Sequence, residues 1–292
     1  MSGRVLVLDT NIVRSADASE FEALAKRGFR LRVSESAYLE WWVQGADMLA
    51  DNRPRARGMF FGKAKQIAPF LDATAPLATG AGIMARKIAA EADGQPIPAE
   101  YAERQIGLNQ QWGVISGFGL TDEEWVRLSA VASEHLDSLD DGLAKLALRR
   151  SELDKKVPPN MKADNETFNT LPDSDKLVLL RRHVIEAMGL SPAAAERFDA
   201  QICTTALRFH LADKGARMPK KNDGVDFTLA MHVAEDCILV SADDQFIAIA
   251  DQSGTYQAPW IRRMNDLDDL PEGPPWGESA REEARRFKRR PK

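Results

Sequence analysis

Residues 5–12 read VLVLDTNI, and this stretch decides the fold. Its first four residues are apolar, too few for a helix and rich in β-branched side chains, which predicts a strand buried on both faces. Asp9 follows directly. In an open α/β sheet, ligands collect in the crevice at the carboxyl ends of the strands, so Asp9 lies where metal chemistry is expected. Taken alone, however, the stretch favours a simpler role for Asp9, as the N-cap of the next helix.

Two further acids take the same kind of position near the far end of the chain. Asp226 opens a helix with apolar residues at helical spacing, and Asp243 follows a short apolar strand predicted at residues 237–240. Converging carboxylates repel one another unless a cation neutralises them. Oxygen ligands suit Mg²⁺ or Mn²⁺, and the absence of nearby His and Cys argues against zinc. The alternative or auxiliary acids are Asp223 and Asp244.

The first fifty residues alternate between strand and helix patterns. A short amphipathic helix over Ala18–Arg27, with Ser19 as its expected cap, precedes a strand over Phe29–Val33, after which Ser34 can cap another helix. Such alternation predicts a parallel sheet with right-handed crossovers. Glu40 falls two turns into the last helix, in an apolar segment where a carboxylate needs a partner or a metal.

From about residue 44 to residue 213 the pattern becomes almost wholly helical. Part of this block must pack on the sheet, and the rest is interpreted as an insertion that forms a cap. The predicted helices are Arg57–Leu71, Gly82–Ala92, Ala99–Leu108, Thr121–Lys155, Asp173–Met188 and Pro192–Leu211. The predicted division is a discontinuous core (1–45 and 190–262), a helical insertion or cap (46–189), and a Pro/Gly hinge with a basic tail (263–292).

Composition excludes several classes of protein. The chain has 292 residues and a formal net charge of −5, and no apolar run approaches the roughly 20 residues that cross a bilayer. Its N-terminus lacks the pattern of a signal peptide, so a cytoplasmic protein without membrane contact is expected. Cys203 and Cys237 are expected to be reduced core thiols.

Charge is distributed unevenly along the chain. Residues 277–292 carry a net charge of +4, which leaves −9 for the remainder. A short basic tail of this kind favours a solvated segment, with phosphate contact as the alternative. Two more basic stretches flank the acidic positions. A polyanion that passes an acidic metal site needs cations of this kind, because the carboxylates alone would repel it. Lysine and arginine are equally common in solvated loops that bind nothing. These residues are Arg53, Arg55, Arg57, Lys63, Lys65, Lys214, Arg217, Lys220 and Lys221.

Four motifs in this order resemble those of the PIN-domain nucleases. The first is LDTNI, which contains Asp9, and the second is Glu40 in a short helix. The others are D-x-x-x-A-x-x-x-A, which starts at Asp226, and S-x-D-x-x-F, which starts at Ser241. The resemblance implies a PIN-like three-layer α/β/α fold with a central, mainly parallel sheet, here with a large all-helical insertion.

The resemblance also implies an activity, that of a metal-dependent phosphodiesterase acting mostly on RNA. The chain is then expected to be an endonucleolytic ribonuclease that uses one or two Mg²⁺ or Mn²⁺ ions to lower the pKa of a bound water and to stabilise transition-state charge. DNA is a second possible substrate, and a regulatory protein or a second copy of the chain a possible partner. The family's catalytic and metal-binding acids fall on Asp9, Glu40, Asp226 and Asp243. The polar residues that hold or orient them are Thr10, Asn11 and Ser241.

Alternatives from other classes remain. The small PIN toxins are much shorter than this chain, so the helical block could be a substrate clamp, a docking surface or an oligomerisation element. One alternative is a non-catalytic module that binds nucleic acid or protein through a degenerate PIN core and the insertion. A phosphatase of the haloacid-dehalogenase type needs D-x-D after the first strand, and Asn11 departs from that pattern. A Rossmann cofactor site lacks its glycine-rich turn.

Overall fold

A four-stranded, all-parallel sheet lies at the centre of the fold. The computed structural model describes residues 3–50, 66–72, 81–116, 121, 123–124, 126–134, 168, 170–214 and 223–288. Within them the strands are β1 (Val5–Leu8), β2 (Arg30–Val33), β3 (Cys237–Val240) and β4 (Ile261–Arg262), in the spatial order β2-β1-β3-β4. The expected α/β class with a parallel sheet is therefore confirmed.

The apolar run at residues 5–8 forms β1, which lies between β2 and β3. Leu6 is paired with Leu31 on one side and with Ile238 on the other, and all three side chains are buried. A parallel strand that lies between two neighbours and is buried on both faces has no solvent-facing side, which explains the unbroken apolar pattern. An isolated parallel bridge between Leu31 and Leu71 extends the sheet beyond β2.

Helices surround this sheet. The described helices are α1 (Thr10–Ser15), α2 (Ala18–Lys26), α3 (Glu35–Ala50), α4 (Ala81–Ala92), α5 (Ala99–Ser116), α6 (Asp173–Met188), α7 (Pro192–Arg197), α8 (Asp199–Asp213), α9 (Asp223–Met231), α10 (Asp244–Gln252) and α11 (Gly277–Lys288). Residues 126–134 are also helical.

Most predicted helices are present, with differences at their ends. Asp17, not Ser19, is the N-cap of α2, in a capping box with Glu20. Ser34 caps α3 as predicted, because its Oγ accepts the N–H of Ala37 at 3.0 Å. The predicted helix over Pro192–Leu211 is broken at Phe198 into α7 and α8. Residues 57–65 and 135–155, where two predicted helices continue, lie outside the described residues.

Two hydrophobic clusters hold the fold together. The first encloses the sheet and includes Phe21, Phe246 and Trp260, all fully buried. The second joins α4 and α6 to α7, α8 and α9. Described helices from the predicted insertion (46–189) therefore share a core with helices from the predicted catalytic part (190–262), and the boundary between these two units stays a prediction.

The C-terminal segment is folded where it is described. Instead of a solvated tail, residues Gly277–Lys288 form α11, with Ala280 and Ala284 buried against the body. Arg281 of this helix pairs with Glu196 at 3.1 Å and stacks on Tyr256. The apolar stripe of small residues within the basic sequence explains the difference, since it gives the helix a packing face. Among the described residues, no helix is both long and apolar enough to cross a membrane.

A buried charge cluster lies next to the amino end of β3. Glu235 is 5% exposed, and its carboxylate accepts bonds from Lys87 at 2.9 Å and Tyr101 at 3.2 Å. His232 lies 3.1 Å from its other oxygen. Burial alone would raise the pKa of Glu235, but His232 and Lys87 outweigh it and lower that pKa from 4.5 to about 2. The carboxylate therefore stays charged, and its ion pair with Lys87 holds α4 against the amino end of β3.

Replacing Lys87 with methionine should lower the free energy of unfolding at pH 7 by about 3 kcal/mol, because it leaves the Glu235 charge buried without its main cation. The depressed pKa of Glu235 contributes stability above the unfolded value of 4.5, and this contribution is lost as the pH falls towards about 2. The deficit of K87M should therefore shrink over that range. Urea unfolding of both proteins between pH 7 and pH 2.5 measures it.

The matched control is Lys26→Met, which removes an exposed pair with Glu22 on α2. Exposed pairs of this kind contribute little, so the change should stay below about 0.5 kcal/mol. Equal losses in K87M and K26M would show that the Glu235 cluster is not a stabilising network.

Candidate functional site at the carboxyl edge of the sheet

The carboxyl ends of β1 and β3 bring Asp9 and Asp243 together around one serine. The two strands are paired in register, and the N–H of Asp9 donates to the carbonyl of Val240 at 2.9 Å. Ser241, fully buried just after β3, donates its hydroxyl to Oδ2 of Asp9 at 2.7 Å. The same Oγ accepts the N–H of Asp243 at 3.0 Å. Ser241 thus links two acids that are far apart in the sequence.

Asp243 has a clear structural role in addition to its position. It is the N-cap of α10, and its Oδ1 accepts the N–H groups of Gln245 at 2.7 Å and Phe246 at 3.0 Å. Both capping bonds use Oδ1, and no donor among the described residues contacts Oδ2. The side chain is half-buried, so Oδ2 is the oxygen available to a ligand.

Asp9 differs from an ordinary cap. It occupies the N-cap position of α1, yet its side chain makes no capping hydrogen bond. The side chain is 5% exposed. Burial raises the pKa of Asp9 above its ordinary value, and the nearby charge of Asp243 raises it further, against the lowering effect of hydrogen bonds from Ser241, from the backbone of Thr10 and from the side chain of Asn11. A charged Asp9 is therefore disfavoured by its surroundings, as at a site built for a cation.

Glu40 is joined to this edge through Thr10. The buried hydroxyl of Thr10, the first residue of α1, donates to Oε2 of Glu40 on α3. The helices α1 and α3 pack against each other, which keeps the glutamate beside the start of α1. Thr10 follows Asp9 directly in the chain. The bond from Thr10 therefore keeps the carboxylate of Glu40 close to the backbone that carries Asp9.

Asp226 is held by an arginine. It lies on α9, which packs against both α3 and α8. Its Oδ2 accepts a bond from Arg208 of α8 at 2.8 Å, and the arginine side chain is 5% exposed. Asp226 is thus near the helix of Glu40 but already carries a countercharge.

The remaining predicted acids do not converge with this group where they are described. Asp244 is 81% exposed and pairs with Arg263 at 2.7 Å. The side chain of Asp223 lies outside the described residues. Asn11 is exposed, but its side chain makes a hydrogen bond to Asp9. Across the described ranges, no three His, Cys, Asp or Glu side chains come close enough together to hold a metal ion. The structure therefore assembles Asp9 with Asp243, and Thr10 with Glu40, and leaves Asp226 with Arg208.

The predicted nucleic-acid contacts fall mostly outside the described residues. Lys214 is described, and its ammonium pairs with Asp173 on α6. The residues outside the described part are Arg53, Arg55, Arg57, Lys63, Lys65, Arg217, Lys220 and Lys221.

Two charged residues at this edge were missed by the sequence analysis. Glu35, fully buried at the start of α3, pairs with Arg104 of α5. Arg208 was overlooked because an arginine in an amphipathic helix usually faces solvent. Its spacing from Gln201 and Thr205 on α8 was the available signal, since polar residues at i, i+4 and i+7 share one helix face.

Cys203 and Cys237 are free and buried, as expected. Burial raises the pKa of both thiols, so neither is a reactive thiolate.

Comparison with protein-family models, with curated proteins and with solved structures finds no match to this chain.

Replacing Asp9 with asparagine should raise the free energy of unfolding by about 1 kcal/mol at pH 7 in EDTA. The amide removes the buried charge and its repulsion from Asp243, while its oxygen still accepts the bond from Ser241. Because the pKa of Asp9 is raised in the native protein, ionising it costs stability above the unfolded value of 3.8, and this cost is absent once the pH falls below that value, so the gain should disappear at low pH. Denaturant unfolding at pH 7 and pH 3.5 measures both effects.

The control is Asp251→Asn, at an exposed position on α10. It should change stability by less than about 0.5 kcal/mol. A loss of stability in D9N at pH 7 would mean that the Asp9 charge is compensated and serves the fold.

Proposed function

We propose that this chain is a metal-dependent phosphodiesterase, an endonucleolytic ribonuclease with a PIN-like three-layer core. One observation carries the proposal: Asp9 and Asp243, at the ends of adjacent parallel strands, share the Ser241 hydroxyl, and Asp9 is deeply buried. The motifs that contain these residues are the ones that resemble the PIN nucleases. Two neighbouring carboxylates at the crevice edge of an α/β sheet, one of them buried with a raised pKa, favour a cation-assisted reaction.

The donor atoms fit a hard divalent cation. The side chains at this edge offer carboxylate and hydroxyl oxygens, the ligands that Mg²⁺ and Mn²⁺ prefer. No basic side chain among the described residues contacts Asp9. We propose that Asp9 and Asp243 hold one ion or two, that Glu40 joins them directly or through water, and that Asp226 completes the set. When bound, such an ion lowers the pKa of water and stabilises negative charge on the phosphodiester.

The protein's own residues prepare the site for that charge. Ser241 fixes the orientation of Asp9 through its hydroxyl, and Thr10 does the same for Glu40. Asp243 is held rigidly by the first turn of α10, through two backbone bonds to one of its oxygens. Side chains positioned in this way lose little freedom when a ligand arrives, which keeps the reacting groups aligned.

Substrate approach needs positive charge, because the site itself repels a polyanion. We assign this role to the basic stretches at 53–65 and 214–221. Lys214 pairs with Asp173, but both side chains are largely exposed, so a phosphate can compete for the ammonium.

A second candidate is the non-catalytic binding module. The ion pair between Arg208 and Asp226 favours it, because a carboxylate with a resident cation does not need a metal. The absence of a three-residue metal group among the described residues also favours it. This candidate predicts RNA or protein binding that is indifferent to divalent ions.

The purified chain should cut a circular single-stranded RNA in Mn²⁺ or Mg²⁺ and not in EDTA. A circle has no ends, so its linearisation identifies endonucleolytic cutting. Asp9→Asn and Asp243→Asn should each lower the rate by about a hundredfold or more, since each removes an oxygen charge that a cation would need. Asparagine is itself a good N-cap, so D243N should keep α10 intact. Product formation on a denaturing gel gives the rates.

The matched control is Asp244→Asn, which removes the neighbouring exposed carboxylate and should leave the rate within about twofold of the native rate. Failure of the folded native chain to cut RNA in any metal, with RNA still bound in EDTA, would establish the binding module instead.

A further inference from the structure

The ion pair between Arg208 and Asp226 is the most deeply buried cation contact at the proposed site. The guanidinium is 5% exposed, and Asp226 is 19% exposed, with 2.8 Å between the Nη2 of Arg208 and the Oδ2 of Asp226. The carboxylate therefore faces the solvent side of the pair, and the arginine lies on the protein side.

The face of α8 that carries Arg208 has three buried polar residues. Gln201 and Thr205 precede Arg208 by seven and three residues and lie on the same face. Both are almost fully buried, and among the described residues neither the amide of Gln201 nor the hydroxyl of Thr205 has a hydrogen-bond partner. Apolar residues would pack this face at lower cost, because buried polar groups without partners destabilise a fold.

A buried ion pair is weak evidence for stability, since apolar residues of similar size often serve as well. The contact with Asp226 therefore matters for its effect on that carboxylate. A guanidinium at 2.8 Å neutralises the carboxylate and holds its Oδ2. The same oxygen is one that a divalent cation would need.

We infer that Arg208 is a positioning residue that occupies Asp226 in the metal-free protein and competes with the divalent cation for it. Mn²⁺ or Mg²⁺ binding then requires Asp226 to exchange the guanidinium for the ion. Arg208 thereby sets the metal concentration at which the site fills and keeps the metal-free site intact. This inference rests on the proposed function, because it takes Asp226 to be a ligand.

The test is a double-mutant cycle on Mn²⁺ binding, followed by the electron paramagnetic resonance signal of free Mn²⁺. The proteins are the native chain, Arg208→Met, Asp226→Asn and the double variant. R208M should lower the Mn²⁺ dissociation constant about tenfold, as expected for removal of a close competing charge. In the D226N background the same change should have no effect, because Arg208 acts through Asp226.

Arg281→Met is the matched control, since it breaks an ion pair with Glu196, which is not one of the proposed site residues. It should leave Mn²⁺ affinity unchanged. Arg208→Lys is the second variant, for use if R208M does not fold. Its ammonium cannot reproduce the guanidinium fork, so the Mn²⁺ dissociation constant should fall by about threefold.

The outcomes separate this inference from the proposed function. Mn²⁺ binding by the native chain with an unchanged or weaker affinity in R208M would overturn the role of Arg208 and leave the metal site standing. A purely structural arginine would give this result, with a lower melting temperature in EDTA. No Mn²⁺ binding by either the native chain or R208M would overturn both.

Discussion

The parallel pairing of β1 with β3 is the constraint on which the site depends. It puts residue 9 beside residue 241, at the same edge of the sheet, although 232 positions separate them. The apolar runs of both strands require burial on two faces, and that burial prevents either strand from slipping in register. With the register set, the Ser241 hydroxyl reaches Asp9 and the backbone of Asp243 at once. The helices α1 and α10 then begin from this edge, each directly after one of the two acids.

Two buried carboxylates, Glu235 at the amino edge of the sheet and Asp9 at its carboxyl edge, differ in the positive charge around them. Glu235, near the amino end, has Lys87, Tyr101 and His232 around it, and its pKa falls to about 2. Asp9, at the carboxyl edge, has hydrogen bonds from Ser241, Thr10 and Asn11 but no basic partner among the described residues, and burial raises its pKa. The first arrangement satisfies its charge with the protein's own residues. The second leaves a free-energy cost for the charge of Asp9, which a bound cation would remove. For this reason we propose that the catalytic site lies at the carboxyl edge of the sheet.

Much of the fold around the site could be predicted from the chain, because the relevant signals are local. The apolar runs at 5–8 and 237–240 and the N-cap at Ser34 depend on neighbouring residues, and each lies where it was expected. The same holds for an acid after each of these two strands. The motif that starts at Ser241 implies that this serine holds or orients the acids. Its bond to Asp9, however, depends on which strands are neighbours, and no local pattern carries that information.

Other features could not be predicted, for physical reasons. The basic sequence of α11 conceals a stripe formed only by Ala280 and Ala284, too small to stand out among its charges. Arg208 and its pairing with Asp226 depend on how α8 packs on α9, which periodicity does not specify. The motif thus predicts that Asp226 lies at the start of a helix, but it does not show that Arg208 contacts the carboxylate.

The most direct test of the central claim is an anomalous-scattering map from crystals of the full chain soaked in Mn²⁺. If Asp9 and Asp243 form a cation site, a Mn²⁺ peak will lie within coordination distance of an oxygen from each, with Ser241 still donating to Asp9. A map with no peak at this edge, at a Mn²⁺ concentration that supports RNA cleavage, would contradict the account.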